Sequence, residues 1–263
     1  MKKFVCIAVA ALFLLCGVGF NASASPETAE AQSYGWQGNI NGNIPVSVWF
    51  EARDGIAVGE ITYTKTGANK PIRLLGHTDG SRWVMKEMLP GGQVTGTICG
   101  TISGDVFDGE WMGTGTIKKK ETRYERVAGK TFPIRLTRTS TPAKTFNWDF
   151  DPATLEGEYL YTYGQDNAAG VLSVSRAKDG SVEFDIETDG GAPSFRAALF
   201  PDYNKKEKAV LRGNRIVQEV DDSCAFEVLF FSDFATVQYI DGKSCNGWFG
   251  LEASITGDFL KQR

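Results

Sequence analysis

Short stretches of alternating apolar and polar residues run along almost the whole chain, each cut by a turn signal about ten residues after the last. Val46-Ser47-Val48-Trp49-Phe50-Glu51 alternates and stops at Asp54-Gly55. Ile56 to Lys65 ends in Thr66-Gly67-Ala68-Asn69, Pro71 to Gly76 in Thr78-Asp79-Gly80, and Arg82 to Leu89 in Pro90-Gly91-Gly92. Val94 to Ile102, the segment around Asp108-Gly109-Glu110-Trp111, and Thr131 to Leu136 complete about eight runs. A period of two puts every second side chain on one face, which suits a half-buried strand. No stretch of helical period with a cap at each end precedes residue 138. Such a chain folds as an antiparallel meander, sandwich or barrel, and closure into a barrel leaves the fewest open edges.

Residues 139–153 carry two prolines and several turn formers and read as a linker, with Phe146, Trp148 and Phe150 alternating as aromatics that dock on a neighbour. A second β set follows: Gly157 to Tyr163, Val171 to Ser175, Val182 to Glu187, Phe195 to Phe200, Ala209 to Leu211, Arg215 to Val220, the pair 224–231 and 234–240, and finally Gly247 to Gly250 and Ala253 to Leu260. Gly59-Glu60-Ile61-Thr62-Tyr63-Thr64 is echoed by Gly157-Glu158-Tyr159-Leu160-Tyr161-Thr162. The expectation is an all-β chain of two consecutive antiparallel β-barrel-like domains, 34–138 and 154–263.

Lys2 and Lys3, the apolar run Phe4 to Phe20 and Ala22-Ser23-Ala24 make a signal peptide over residues 1–24, cleaved between Ala24 and Ser25. As a membrane anchor the run is short and broken by Gly17 and Gly19, and as a lipoprotein signal it has Leu15 before Cys16 where a small residue belongs. Export is the expectation, to the periplasm or outside the cell. Cleavage moves the formal charge from −4 to −6, because it removes two lysines and no acid. An acidic chain repels nucleic-acid phosphates and favours cationic partners.

Cys99, Cys224 and Cys245 remain after cleavage. Export to an oxidising compartment favours a disulfide. Cys224, Phe226, Val228 and Phe230 share a face, Ser232-Asp233 turns the chain, and Asp241-Gly242 is a hairpin signal. A turn centred near residue 233 sets Cys224 opposite residues 241–243, within reach of Cys245, so Cys224–Cys245 is the expected bond. Cys99 is read as a small buried residue on a strand, with a reactive thiol or an intermolecular bridge as alternatives.

No residue set forms a catalytic, cofactor or metal signature. His77 is the only histidine and is read as an exposed loop residue. One His and three Cys do not make the usual zinc sites, and Asp149 and Asp151 alternate without a calcium loop after them. The glycines lie between strands, as turns and bulges, not in a phosphate loop. Asp108, Glu110, Glu87 and Glu252 are carboxylates that no spacing assembles into an acid–base pair. Lys118-Lys119-Lys120 reads as a solvated hairpin end, Lys205-Lys206-Glu207-Lys208 as a charged loop, and Phe226, Phe230, Trp248 and Phe249 as core.

The tail carries Cys224, Phe226, Val228, Phe230, Cys245, Gly247, Gly250, Gly257 and Lys261 in the order Cys-x-Phe-x-Val-x-Phe, hairpin, Cys-x-Gly-x-x-Gly, Gly-Asp-Phe-Leu-Lys. It resembles the C-terminal part of small exported bacterial calycin-like β-barrels, some of them in lysozyme-inhibitor proteins. The first half resembles glycine-punctuated β-repeats of uncharacterised exported proteins. The Ser-Gly-x-x-Tyr segment with which the best-known membrane-associated lysozyme inhibitors enter the enzyme's cleft is replaced here by Ser254-Ile255-Thr256-Gly257-Asp258-Phe259. The resemblance implies a non-catalytic, cofactor-free binding protein whose partner is a cationic macromolecule. The alternatives are a lipocalin-like carrier of a small apolar ligand and an envelope structural protein. A filled barrel interior suits the first and a hollow one the second.

Overall fold

The computed structural model describes residues 32–65, 70–121, 123–140, 144–192, 197–201, 206–245, 248–249 and 253–262. The expected cleavage site at Ala24 and Ser25 lies outside them, as do Gly247, Gly250 and Glu252. The first domain contains β1 (Gln32–Ile40), β2 (Ile44–Arg53), β3 (Ile56–Tyr63), β4 (Ile72–Thr78), β5 (Arg82–Met88), β6 (Val94–Ser103), β7 (Val106–Gly113), β8 (Thr116–Lys120), β9 (Arg123–Val127) and β10 (Thr131–Arg138). Eight of these close an antiparallel barrel in the order β1-β10-β7-β6-β5-β4-β3-β2, while β8 and β9 form a separate hairpin between β7 and β10. Lys118, Lys119 and Lys120 are exposed on that hairpin.

Closure depends on β1, whose Trp36 lies opposite Val48 on one side and Arg138 on the other. The alternation does not single β1 out, because Gly38 interrupts its apolar face of Tyr34, Trp36 and Ile40. Tight curvature is set by inward glycines. A Cβ on Gly76 would stand 1.9 Å from the Val84 carbonyl oxygen, and one on Gly59 2.1 Å from that of Trp49. The strands approach each other there as only glycine allows. The space inside is filled by aromatic rings. Trp36 stacks on Phe50 at 5.8 Å, and Phe50 meets Trp83 at 4.8 Å and Phe107 at 5.9 Å. Leu74, Met85, Ile98 and Ile134 fill in around them.

The second domain is a nine-stranded, strongly curled sheet. Its strands are β11 (Gly157–Thr162), β12 (Asn167–Arg176), β13 (Val182–Gly191), β14 (Ala197–Phe200), β15 (Glu207–Ala209), β16 (Arg215–Glu219), β17 (Ala225–Phe230), β18 (Phe234–Tyr239) and β19 (Gly257–Lys261). The order is β14-β13-β12-β11-β19-β18-β17-β16, with β15 beside β13, so the first and last strands in sequence are neighbours at the centre. Tyr159, Phe184, Phe226, Phe230 and Phe259 pack on the concave face, all fully buried. The chain is therefore all-β with a closed barrel and a curled half-barrel.

Cys224 and Cys245 are bonded. In the β17–β18 register Phe226 faces Tyr239, and continuing it sets Cys224 opposite Asp241, where Ser223 O accepts from Ser244 N at 3.3 Å and Cys245 N at 3.4 Å. Asp241-Gly242 turns the chain without making a hairpin, because the second neighbour of β18 is β19, which starts only at Gly257. The strand expected from Ala253 correspondingly starts late: residues 253–256 are irregular, and Thr188 Oγ1 donates to Ser254 O at 2.6 Å. Residues 248–249 are a turn, and Trp248 is 49% exposed rather than core, its Nε1 donating to Asp221 Oδ2 at 3.0 Å.

The two domains meet along the outer face of β3–β5 and the outer face of β18–β19. Ile56, Val58, Leu75 and Met88 from one side bury against Phe231, Phe234 and Leu260 from the other. Residues 144–150 strap across this junction. Glu51 accepts from Phe146 N at 2.8 Å and Trp148 Nε1 at 2.7 Å, while the Phe146 ring lies 5.7 Å from Phe234 and Trp148 5.6 Å from Phe231. Among the described residues no helix is long and apolar enough to cross a membrane.

Candidate functional site

Among the described residues three acids are almost fully buried, Asp258, Glu87 and the strap-bound Glu51, and the first two each centre a cluster of polar side chains. The first is at the domain junction. Alternation on β4 and β5 points His77 and Lys86 outward, toward β19, whose own alternation turns Asp258 back at them. Asp258 Oδ1 accepts from His77 Nε2 at 3.0 Å and Thr236 Oγ1 at 3.1 Å, and Oδ2 accepts from Lys86 Nζ at 3.2 Å. Burial alone would raise the Asp258 carboxyl, but the Lys86 ammonium and His77 outweigh it and hold it well below the usual carboxylate range. Burial would likewise lower Lys86, and the Asp258 charge instead holds it above the usual lysine range. The Tyr161 ring lies 6.0 Å from Lys86 Nζ, and burial pushes its hydroxyl up to about 12. Arg73 pairs with Asp233 across the same junction. His77 is thus on a strand and held by a buried acid, not free in a loop. Nothing local in the sequence marks this, since its partner is 181 residues away.

The second cluster is at one end of the closed barrel. Trp83, Met85 and Glu87 point inward from β5, and Glu87 ends at the rim formed by Ile44, Tyr63, Ile72, Trp111 and Phe132, all half-buried. Glu87 itself is 1% exposed. Its Oε1 accepts from Tyr63 Oη at 2.6 Å and Trp111 Nε1 at 2.9 Å, and its Oε2 from Thr95 Oγ1 at 3.2 Å. Thr95 reaches the interior because the β5–β6 register shifts between Glu87 and Met88. Trp111 lies flat over Gly96, where a Cβ would come 2.7 Å from its Nε1, and stacks on Phe132 at 5.9 Å and 14°. Burial raises the Glu87 carboxyl, and the three donors only partly offset it. Burial and the neighbouring Glu87 charge raise the Tyr63 hydroxyl in turn.

Of the carboxylates singled out in the sequence, Asp108 and Glu110 lie on the outer wall of β7 while Glu87 faces in, so the barrel wall separates them. Among the described residues no group of three or more His, Cys, Asp or Glu gathers to hold a metal ion. Cys99 is buried and unbridged, with Arg82 Nε and Nη2 directed at its Sγ from 3.3 and 3.2 Å. At the barrel end opposite Glu87, Arg138 covers Tyr34 at 4.9 Å and Trp36 at 5.3 Å. Among the described residues the buried Nε1 atoms of Trp36 and Trp83 have no hydrogen-bond partner.

The chain matches no family model, no curated protein and no solved structure. The resemblance of its tail to calycin-like exported proteins rests on the residues quoted for it alone.

Proposed function

We propose that the chain is an exported, non-catalytic binding protein that engages a cationic macromolecule through its surface, in the manner of a lysozyme-inhibitor-like protein. The observation that carries this reading is the packing of the interiors. The barrel is occupied by Trp36, Phe50, Trp83 and Phe107, and the curled sheet by Tyr159, Phe184, Phe226, Phe230 and Phe259. Side chains occupy the positions that a carrier would leave to its cargo. The leader-like start, the Cys224–Cys245 bond and the acidic balance left after cleavage support export and a basic partner. Immobilised lysozyme tests the reading. At low ionic strength the mature protein should be retained and then released by salt, and passage in the void volume removes the inhibitor-type reading.

A lipocalin-like carrier of a small, mainly apolar ligand is the second reading; the indole N–H groups of Trp36 and Trp83 inside the barrel, which lack an acceptor among the described residues, would be met by an acceptor atom on the cargo. Native mass spectrometry of the secreted protein decides it, because a carried ligand adds a discrete mass that denaturation removes.

A further inference from the structure

Glu87 is a buried carboxylate without a counter-charge. Its three donors, Tyr63 Oη, Trp111 Nε1 and Thr95 Oγ1, are all neutral groups. Among the described residues no Lys, Arg or His lies within ion-pair distance of it, in contrast to Asp258, which has both a lysine and a histidine. A carboxylate offers about four acceptor positions. Two on Oε1 and one on Oε2 are filled, which leaves one on Oε2. The surrounding walls are aromatic: Trp111 and Phe132 stacked in parallel, and Tyr63 across from them. These rings remain partly exposed while the carboxylate is not, so the rim is the accessible part of the site.

We propose that the Glu87 end of the first barrel is a binding site for an organic ammonium group, which the aromatic rim of Trp111, Phe132 and Tyr63 receives and the Glu87 carboxylate attracts from below. Two physical effects act together there. Ring faces carry negative potential and attract cations, more strongly once water is displaced. Burial favours the neutral form of Glu87, and an arriving cation favours the charged one, which acts on it with little screening in so poorly solvated a setting. An anion entering the same rim would meet Glu87 head on, and a neutral apolar group would leave its charge uncompensated. Gly96 contributes by letting the Trp111 indole lie low enough on β6 for its N–H to reach Glu87. The ammonium can come from a lysine side chain of a macromolecular partner or from a free quaternary amine. The lysine source rests on the cationic-partner reading above, and the site does not.

The test follows the indole N–H signal of Trp111 in ¹⁵N-labelled mature protein, assigned by its loss in Trp111→Phe. Choline and N-acetyl-lysine methylamide are titrated in turn, with 3,3-dimethylbutanol, the uncharged isostere of choline, as the control. Saturable movement of the Trp111 signal by choline or the lysine amide, and none by the alcohol, is the expected result. Whichever of the two binds more tightly identifies the source. Glu87→Gln keeps the Tyr63 and Trp111 bonds on its amide oxygen, with the Thr95 hydroxyl turned to accept from the amide nitrogen, and should weaken binding at least about tenfold, and Phe132→Ala, which leaves the carboxylate cluster intact, should weaken it severalfold. Equal response to choline and the alcohol, or no response to either amine, overturns the proposal using the unaltered protein alone. Retention on lysozyme with no amine response discards this site and keeps the proposed function; amine binding without retention does the reverse.

Discussion

Asp258 and Glu87 are both carboxylates at 1% exposure, and their surroundings drive them in opposite directions. Asp258 has cations and is held low; Glu87 has only neutral donors and is raised. Asp258→Asn leaves Lys86 partly buried without its counter-ion, a change that costs about 3 kcal/mol where a buried pair is broken. Asp233→Asn breaks the Arg73 pair at a more exposed place, with a cost of about 1 kcal/mol or less. Denaturant unfolding of the two variants beside the parent should show that order, and equal losses would mean that Asp258 is not held as described. The pH dependence follows from the signs. The depressed Asp258 carboxyl contributes stability that is complete above its unfolded value near 4 and disappears as pH falls through the lower folded value. The raised Lys86 contributes stability that is complete below its unfolded value of about 10.4 and is lost as pH rises through the higher folded one. The parent should thus weaken below about pH 4 more steeply than Asp258→Asn does.

The end of the second domain is organised by two strands and one covalent bond. Between β18 and β19 the chain makes an excursion from residue 240 to 256 with little regular structure among its described residues, and the Cys224–Cys245 bond anchors its start to the head of β17. The loop that the bond closes, with a sequence separation of 21, is worth on the order of 3 kcal/mol in the chain-entropy model. Cys224→Ala with Cys245→Ala should lower the denaturation midpoint accordingly and speed amide exchange in β17 and β19 before β12 and β13. An unchanged midpoint would mean that packing of Phe226, Phe230 and Phe259 holds the end unaided. Most of these strands were legible because alternation and turns are local, and the disulfide was legible because hairpin register is counted from a turn. β1 was hidden by Gly38, which gives up an inward side chain where the strand runs too close to Arg135 for any other residue. The position of β19, central and beside β11, depends on contacts about 100 residues apart that no local period encodes. For the same reason Glu87 was visible only as one acid among several. Its neighbours Tyr63, Thr95 and Trp111 come from three other strands and meet only when the barrel closes.

On the scale of the molecule, the question is whether the two β domains act as separate beads or as one body. The junction has the content of a core: Ile56, Val58, Leu75, Met88 and Val94 bury against Phe231, Phe234 and Leu260. It also has the specificity of polar pairing, with Lys86 and His77 on Asp258, Arg73 on Asp233, and Thr162 N bonded to Gly92 O at 2.9 Å. Interfaces between loosely joined domains are more polar and allow relative motion. Here the strap 144–150 adds aromatic side chains to both sides, and its Phe146 ring also lies 5.6 Å from the Arg73 guanidinium. The apolar contacts supply the driving force, and the charged pairs fix the alignment, since a slide along the sheet would separate the buried Asp258 carboxylate from both its partners. Calorimetry should therefore show a single unfolding transition whose calorimetric and van't Hoff enthalpies agree. Phe234→Ala opens the centre of the junction and removes a fully buried ring, a loss of about 3–5 kcal/mol. If the domains are coupled, that variant should still melt once, at a lower temperature, or split into two transitions with the disulfide-bonded domain separating from the barrel. A parent protein that already melts in two independent steps, with Phe234→Ala shifting only one of them, would show the domains to be independent and the junction to be a contact without mechanical consequence.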